Sequence, residues 1–145
     1  MKRLPILLAF AFWAGAAQAA DAARTEGGII RPASEVTLDD LLWVARPLLV
    51  FADTPNDPRF VQQMEYIEER ADELFERDVV VLVDTDPAAA SDARQKMRPR
   101  GFMLVLMSKD GQVYLRKPFP WDVREIMRSI DKMPLRLQEI GEARQ

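Results

Sequence analysis

The chain has 145 residues, 20 Lys and Arg against 23 Asp and Glu, a net charge of −3, and neither Cys nor His. Without Cys there is no disulfide, no thiolate nucleophile and no thiolate-held metal, so thiol–disulfide oxidoreductase and thiol peroxidase chemistry are excluded. Without His the commonest general base and the commonest metal ligand are both missing. The length suits one domain, and the mildly acidic balance is not that of a nucleic-acid binder.

Lys2 and Arg3 precede an apolar run from Leu4 to Ala16, and Ala17-Gln18-Ala19 follows with small residues at the cleavage spacing. This is the layout of a secretory signal peptide over residues 1–19. A retained anchor is the alternative, but the run falls short of the roughly 20 residues a bilayer span needs. Cleavage after Ala19 would leave 126 of the 145 residues, with 18 cations against 23 anions. No later stretch is long and apolar enough to span a membrane. The expected location is periplasmic or secreted, an oxidising setting in which packing alone must hold the domain.

Residues 20–36 read as a flexible leader, with Gly27-Gly28 ahead of Pro32. Thr37 then reads as the cap of a short helix to about Val44, carrying Leu38, Leu41 and Leu42 on one side. Pro47 to Asp53 is an apolar run ended by turn formers, hence a buried strand. After the loop Thr54–Pro58, Asp57 is placed to cap and Pro58 to open a helix. Phe60, Met64, Ile67, Ala71 and Leu74 recur at helical spacing, which predicts an amphipathic helix of about twenty residues. Gln63 falls on its outer side.

Asp78 to Asp84 is a second buried strand, rich in β-branched residues. Asp86 before Pro87 and Ser91 are two candidate caps for a helix ending near Met97. Phe102 to Met107 is a third strand, and Lys109-Asp110-Gly111 signals a tight hairpin into Val113 to Lys117. Trp121 to Asp131 carries Val123, Ile126, Met127 and Ile130 on one side, a last core helix. Beyond Met133, Leu135, Leu137 and Ile140 allow a further amphipathic turn or more.

The continuous apolar strands read as parallel and covered on both faces. Strand–helix–strand units cross over right-handed, and the closing pair forms an antiparallel hairpin. The expected architecture is α/β, a mixed four-stranded sheet with helices on both faces, over residues 37–145. That element order resembles thioredoxin. The Cys-x-x-Cys place after the first core strand reads Asp53-Thr54-Pro55-Asn56-Asp57-Pro58, and Gly101-Phe102-Met103 stands where that fold usually carries a cis-proline. A closer resemblance rests on Leu48-Leu49-Val50-Phe51-Ala52, Asp57-Pro58-Arg59, Arg77-Asp78-Val79-Val80-Val81, Gly101-Phe102 with Leu106, Lys109-Asp110-Gly111, and Ile130-Asp131-Lys132-Met133-Pro134-Leu135-Arg136 with Glu139. These residues are similar to the thioredoxin-like domain of unknown function 4174 family. That family occurs as short secreted bacterial proteins and within animal coiled-coil-domain and sushi-repeat-containing matrix proteins. The resemblance implies a thioredoxin-like fold and no particular activity.

Thr54, Asn56, Asp57 and Arg59 cluster where α/β sheets collect ligands, at a helix N-terminus receptive to anions. They are equally explained by Asp57 capping the helix with Arg59 solvated. Arg94, Lys96, Arg98 and Arg100 form a basic run expected near the same edge, either a patch for an acidic partner or an ordinary solvated face. Arg136, in reach of Asp131, and Glu139 read as a clasp holding the tail, or as a surface that a partner reads. Phe119 and Trp121 read as packing on the sheet, or as an exposed aromatic platform. Asp53 and Asp84 end neighbouring strands, an arrangement open to acid–base work or to a hard cation such as Ca²⁺. The functional expectation is a secreted, redox-inert binding domain for an envelope protein or an anionic ligand, with no cofactor and no metal. A carboxylate- or metal-dependent enzyme and a carrier of a small anion are the alternatives.

Overall fold

The computed structural model describes residues 28–145. The expected signal peptide therefore lies outside the described residues. A five-stranded sheet has the order β1-β3-β2-β4-β5, with β1 at Ile30–Pro32, β2 at Arg46–Phe51, β3 at Val79–Asp84, β4 at Met103–Met107 and β5 at Val113–Lys117. The first three strands are mutually parallel, β4 runs antiparallel to β2, and β5 antiparallel to β4. The expectation of four strands is corrected by β1. It forms within the stretch read as a leader, because Ile30 and Arg31 pair with Val81 and Leu82 on the open side of β3.

β2 is buried along its whole length. Leu48 and Val50 enter one core and Leu49 and Phe51 the other. The first core is covered by α1 (Pro58–Glu69), α2 (Ala71–Phe75) and α4 (Val123–Asp131), through Ile67, Leu74, Ile126 and Ile130. The second is covered by α3 (Asp92–Met97) and by 3-10 turns at Ala33–Glu35 and Leu38–Leu41. The short helix expected after Thr37 is the second of these turns, and the Thr37 side chain makes no capping bond. Leu38 and Leu41 are nonetheless buried, as their spacing implied.

The single long helix expected after Pro58 is broken at Arg70 (φ −131°, ψ 29°) into α1 and α2. Gln63, expected outside, is fully buried. Its amide oxygen accepts from the Trp121 N–H at 2.7 Å and its amide nitrogen donates to the Trp121 carbonyl at 3.1 Å. One side chain thus satisfies the backbone at the approach to α4. Trp121 packs against the core, whereas Phe119 is exposed. Both caps proposed before α3 are used. Asp86 accepts from the Ala88 N–H of a 3-10 turn, and Ser91 accepts from the Arg94 N–H of α3.

The hairpin forms with Gly111 at φ +85° and its N–H donating to the Ser108 carbonyl. A Cβ at Gly111 would lie 2.8 Å from the Leu42 side chain, so glycine serves both the turn and the close approach. The tail forms α5 (Pro134–Ala143), a helix none of whose residues is fully buried.

Candidate functional site

β2 and β3 define two ends of the sheet, and the charged residues gather at both. At the carboxyl end, Asp57 caps α1 by accepting from the Arg59 N–H at 2.9 Å. It also takes the Arg59 guanidinium at 3.1 and 2.8 Å, which holds the Asp57 carboxyl below its ordinary range. Arg59 lies 5.7 Å over the Phe102 ring, beside Gly101. The first loop and the segment before β4 therefore do converge, as the topology required. Thr54 Oγ1 accepts from the Asn56 N–H at 3.3 Å, an internal turn bond. The capping reading accounts for these residues, since a nearby carboxylate already neutralises Arg59.

Asp53 and Asp84 are also brought together, but around a cation. Arg94 Nη2 donates to Asp84 Oδ1 at 2.9 Å and to the Ala52 carbonyl at 3.0 Å, while its Nη1 lies 3.9 Å from Asp53 Oδ1. The guanidinium also faces the Phe51 ring at 5.5 Å. Ser91 Oγ donates to Asp84 Oδ2 at 2.5 Å. Burial raises the Asp84 pKa, but the bonds from Arg94 and Ser91 outweigh it and leave the carboxyl below its ordinary value. An arginine between two carboxylates fills the place a hard cation would take. Among the described residues no group of three or more His, Cys, Asp or Glu is disposed to hold a metal. Arg98 and Arg100 are exposed, and Arg98 closes α3 in the left-handed conformation (φ +48°).

Arg136, read from the sequence with Glu139 as a clasp on the tail, lies at the other end of the sheet. The five steps of β2 separate the two ends by about 17 Å. There Glu139 accepts from Arg46 Nη2 at 2.9 Å and Lys109 Nζ at 2.8 Å through one oxygen, and from Arg136 Nη1 at 3.4 Å through the other. Arg46 is wholly buried, and its Nη1 donates to the Arg77 carbonyl. Arg77 forms a two-pronged bond to Asp131 at 3.0 and 3.1 Å, Lys109 reaches Asp78 at 2.8 Å, and Arg136 lies 3.7 Å from Asp131. Burial alone would raise the Glu139 pKa; Lys109 and Arg46 override it and hold it at about 2. The clasp between tail and domain is thus real and larger than the sequence suggested. Arg46, Lys109 and Asp78 were not foreseen as its members. The one available signal was Arg46 itself, a charge set directly against an apolar strand.

Beside this clasp Trp43 is 67% exposed at φ +64°, with its N–H donating to the Lys109 carbonyl at 2.8 Å. A large aromatic side chain left in water on a strained backbone is unusual. Phe75 is also exposed nearby, lining a mostly apolar cavity of about 160 Å³ with Ile29, Ala45 and Val79.

The sheet order, the helices on both faces and the closing hairpin define a thioredoxin-like domain. Two solved structures share the fold. One is a Plasmodium yoelii peroxiredoxin, Prx1a modified at its N-terminus, with 20% identity, a TM-score of 0.53, and coverage of 74% of this chain and 81% of that one. The other is Plasmodium yoelii thioredoxin peroxidase I, with 20% identity, a TM-score of 0.50, and coverage of 74% and 80%. Residues 37–139 match the model of a domain of unknown function, DUF4174, and the chain belongs to that family. No curated protein matches it in sequence.

Proposed function

We propose that this chain is an exported, redox-inert thioredoxin-like domain that works by binding. The observation that carries the reading is the carboxyl end of β2. The place of a redox pair holds Asp53 to Pro58, the chain has no Cys, and the charges there are spent on Asp57–Arg59 and Asp84–Arg94. This leaves a stable scaffold without a nucleophile. The Lys2-Arg3 start, the apolar run and Ala17-Gln18-Ala19 support export.

The test is an in-cell crosslink of the tagged full-length protein, followed by purification and mass spectrometry. The expected result is one envelope protein recovered in an amount comparable to the bait. That protein is lost when Arg98 and Arg100 become Ala, or when Lys109 becomes Met, which also tells the two ends apart. Recovery of the chain alone overturns the reading. So does thiol-dependent turnover by the purified protein.

A further inference from the structure

The clasp has the composition of a ligand site already filled. Arg46, Lys109 and Arg136 converge on one carboxylate, and the Arg46 side chain has no exposure at all. Its Nε is buried without a hydrogen-bond partner among the described residues. A buried arginine needs an anion, because removing its partner leaves an uncompensated charge. The helix that supplies the anion is, by contrast, little buried apart from that contact. No residue of α5 is fully buried, Leu137 is 57% exposed, and α4 is the element it packs against most. A helix of ten residues with so little burial has little stability of its own. The cradle thus resists being emptied but not being exchanged: Glu139 is replaceable by another carboxylate at small net cost.

We propose that the Arg46–Lys109 cradle is a carboxylate-binding site. In the resting chain Glu139 occupies it, and an acidic peptide segment of a partner protein takes it over by displacing α5. The surroundings suit such a partner. Trp43 and Phe75 lie three and two positions before Arg46 and Arg77 in sequence, and both are exposed. Aromatic anchors beside a charged pocket are the usual composition of a peptide-binding hot spot. Displacement of α5 carries off Glu139 and Arg136 together and leaves Arg46, Arg77 and Lys109 against only Asp78 and Asp131, so the emptied site favours an anion. This inference names the site of the binding function proposed above and rests on it.

The test uses the full-length chain with Glu139→Ala, which empties the cradle without deleting α5. The first probe is acetate, compared with chloride at equal ionic strength. Acetate raises the Tm of the variant by about 4 °C when present at roughly ten times its Kd, and leaves the native chain unmoved. Adding Lys109→Met to the variant abolishes the shift. The second probe is a labelled peptide of residues 134–145, read by fluorescence anisotropy. The Glu139→Ala chain binds it about tenfold more tightly than a peptide carrying Glu139→Gln, as expected for a charge-assisted contact. A folded variant indifferent to acetate, or equal binding of the two peptides, overturns the proposal. Dimerisation of the native chain that Glu139→Gln abolishes overturns it too, in favour of tail exchange between copies. Failure of the acetate arm alongside a crosslinked partner removes the cradle and leaves the binding function standing.

Discussion

Replacing Glu139 by Gln keeps the shape of the side chain and deletes one charge. Its pKa stands at about 2 against an ordinary 4.5. That difference corresponds to about 3 kcal/mol of stability at neutral pH. The cost of leaving one member of a buried ion pair unpaired, about 3–5 kcal/mol, agrees with it. A group whose pKa is lower in the folded than in the unfolded chain stabilises above its unfolded value. The contribution is therefore complete above about pH 5 and lost as the pH falls through 4.5 toward 2. Urea unfolding at a series of pH values measures both quantities. Glu139→Gln is expected to lose about 3 kcal/mol at pH 7 with an unchanged m-value, and to show a shallower decline between pH 5 and 2. The decline that remains includes the contribution of Asp84, whose pKa is also lowered. A loss under about 1 kcal/mol at pH 7, or an unaltered acid slope, refutes the argument, because it means that Arg46 is compensated by something other than Glu139.

Gln63→Leu preserves the volume of a fully buried side chain but strands the N–H and carbonyl of Trp121. A loss of about 1–3 kcal/mol in equilibrium unfolding is expected, and a neutral result denies the bond its role. Ser91→Ala removes the cap of α3 together with a donor to Asp84. It is expected to cost about 1–2 kcal/mol, and the pKa of Asp84 followed by NMR should rise; a fixed value contradicts the assigned hydrogen bond. Trp43→Gly relieves a bulky residue at φ +64° that buries little of its side chain. The Tm should therefore rise, by an amount corresponding to about 1 kcal/mol, and a fall would mean that the indole is anchored to the fold.

Which parts of this structure were legible beforehand follows from the range of the interactions. β2 and β3 announce themselves because strands buried on both faces must be apolar at every step, and Leu48 to Phe51 and Val79 to Leu82 are. The α1 cap was readable because Asp57 acts on the backbone only two residues on, and so was the Asp110-Gly111 turn. β1 escaped notice because three residues are too few to show a period; Ile30 joins the sheet only because β3 offers it an unpaired edge. Gln63 was misplaced because its partner is the Trp121 backbone, 58 positions away and without a sequence signature. The carboxyl-end loop was assembled correctly from topology, yet its charges turned out to satisfy one another. At the opposite end the Arg136–Glu139 pair was visible as a local i,i+3 spacing. Arg46, the cation that most needs Glu139, lies 93 positions from it and could not be found by spacing.

That separation also decides when the clasp forms. Its carboxylate meets groups at the start of β2, beyond the end of β4 and at the head of α5, so it closes only after the central strands are aligned. Interactions that the folding barrier does not yet contain leave the refolding rate untouched and set the rate of escape from the native state. Glu139→Gln is therefore expected to speed unfolding while refolding runs at its former pace, so that one carboxylate would set how long the folded domain persists; stopped-flow rates measure both.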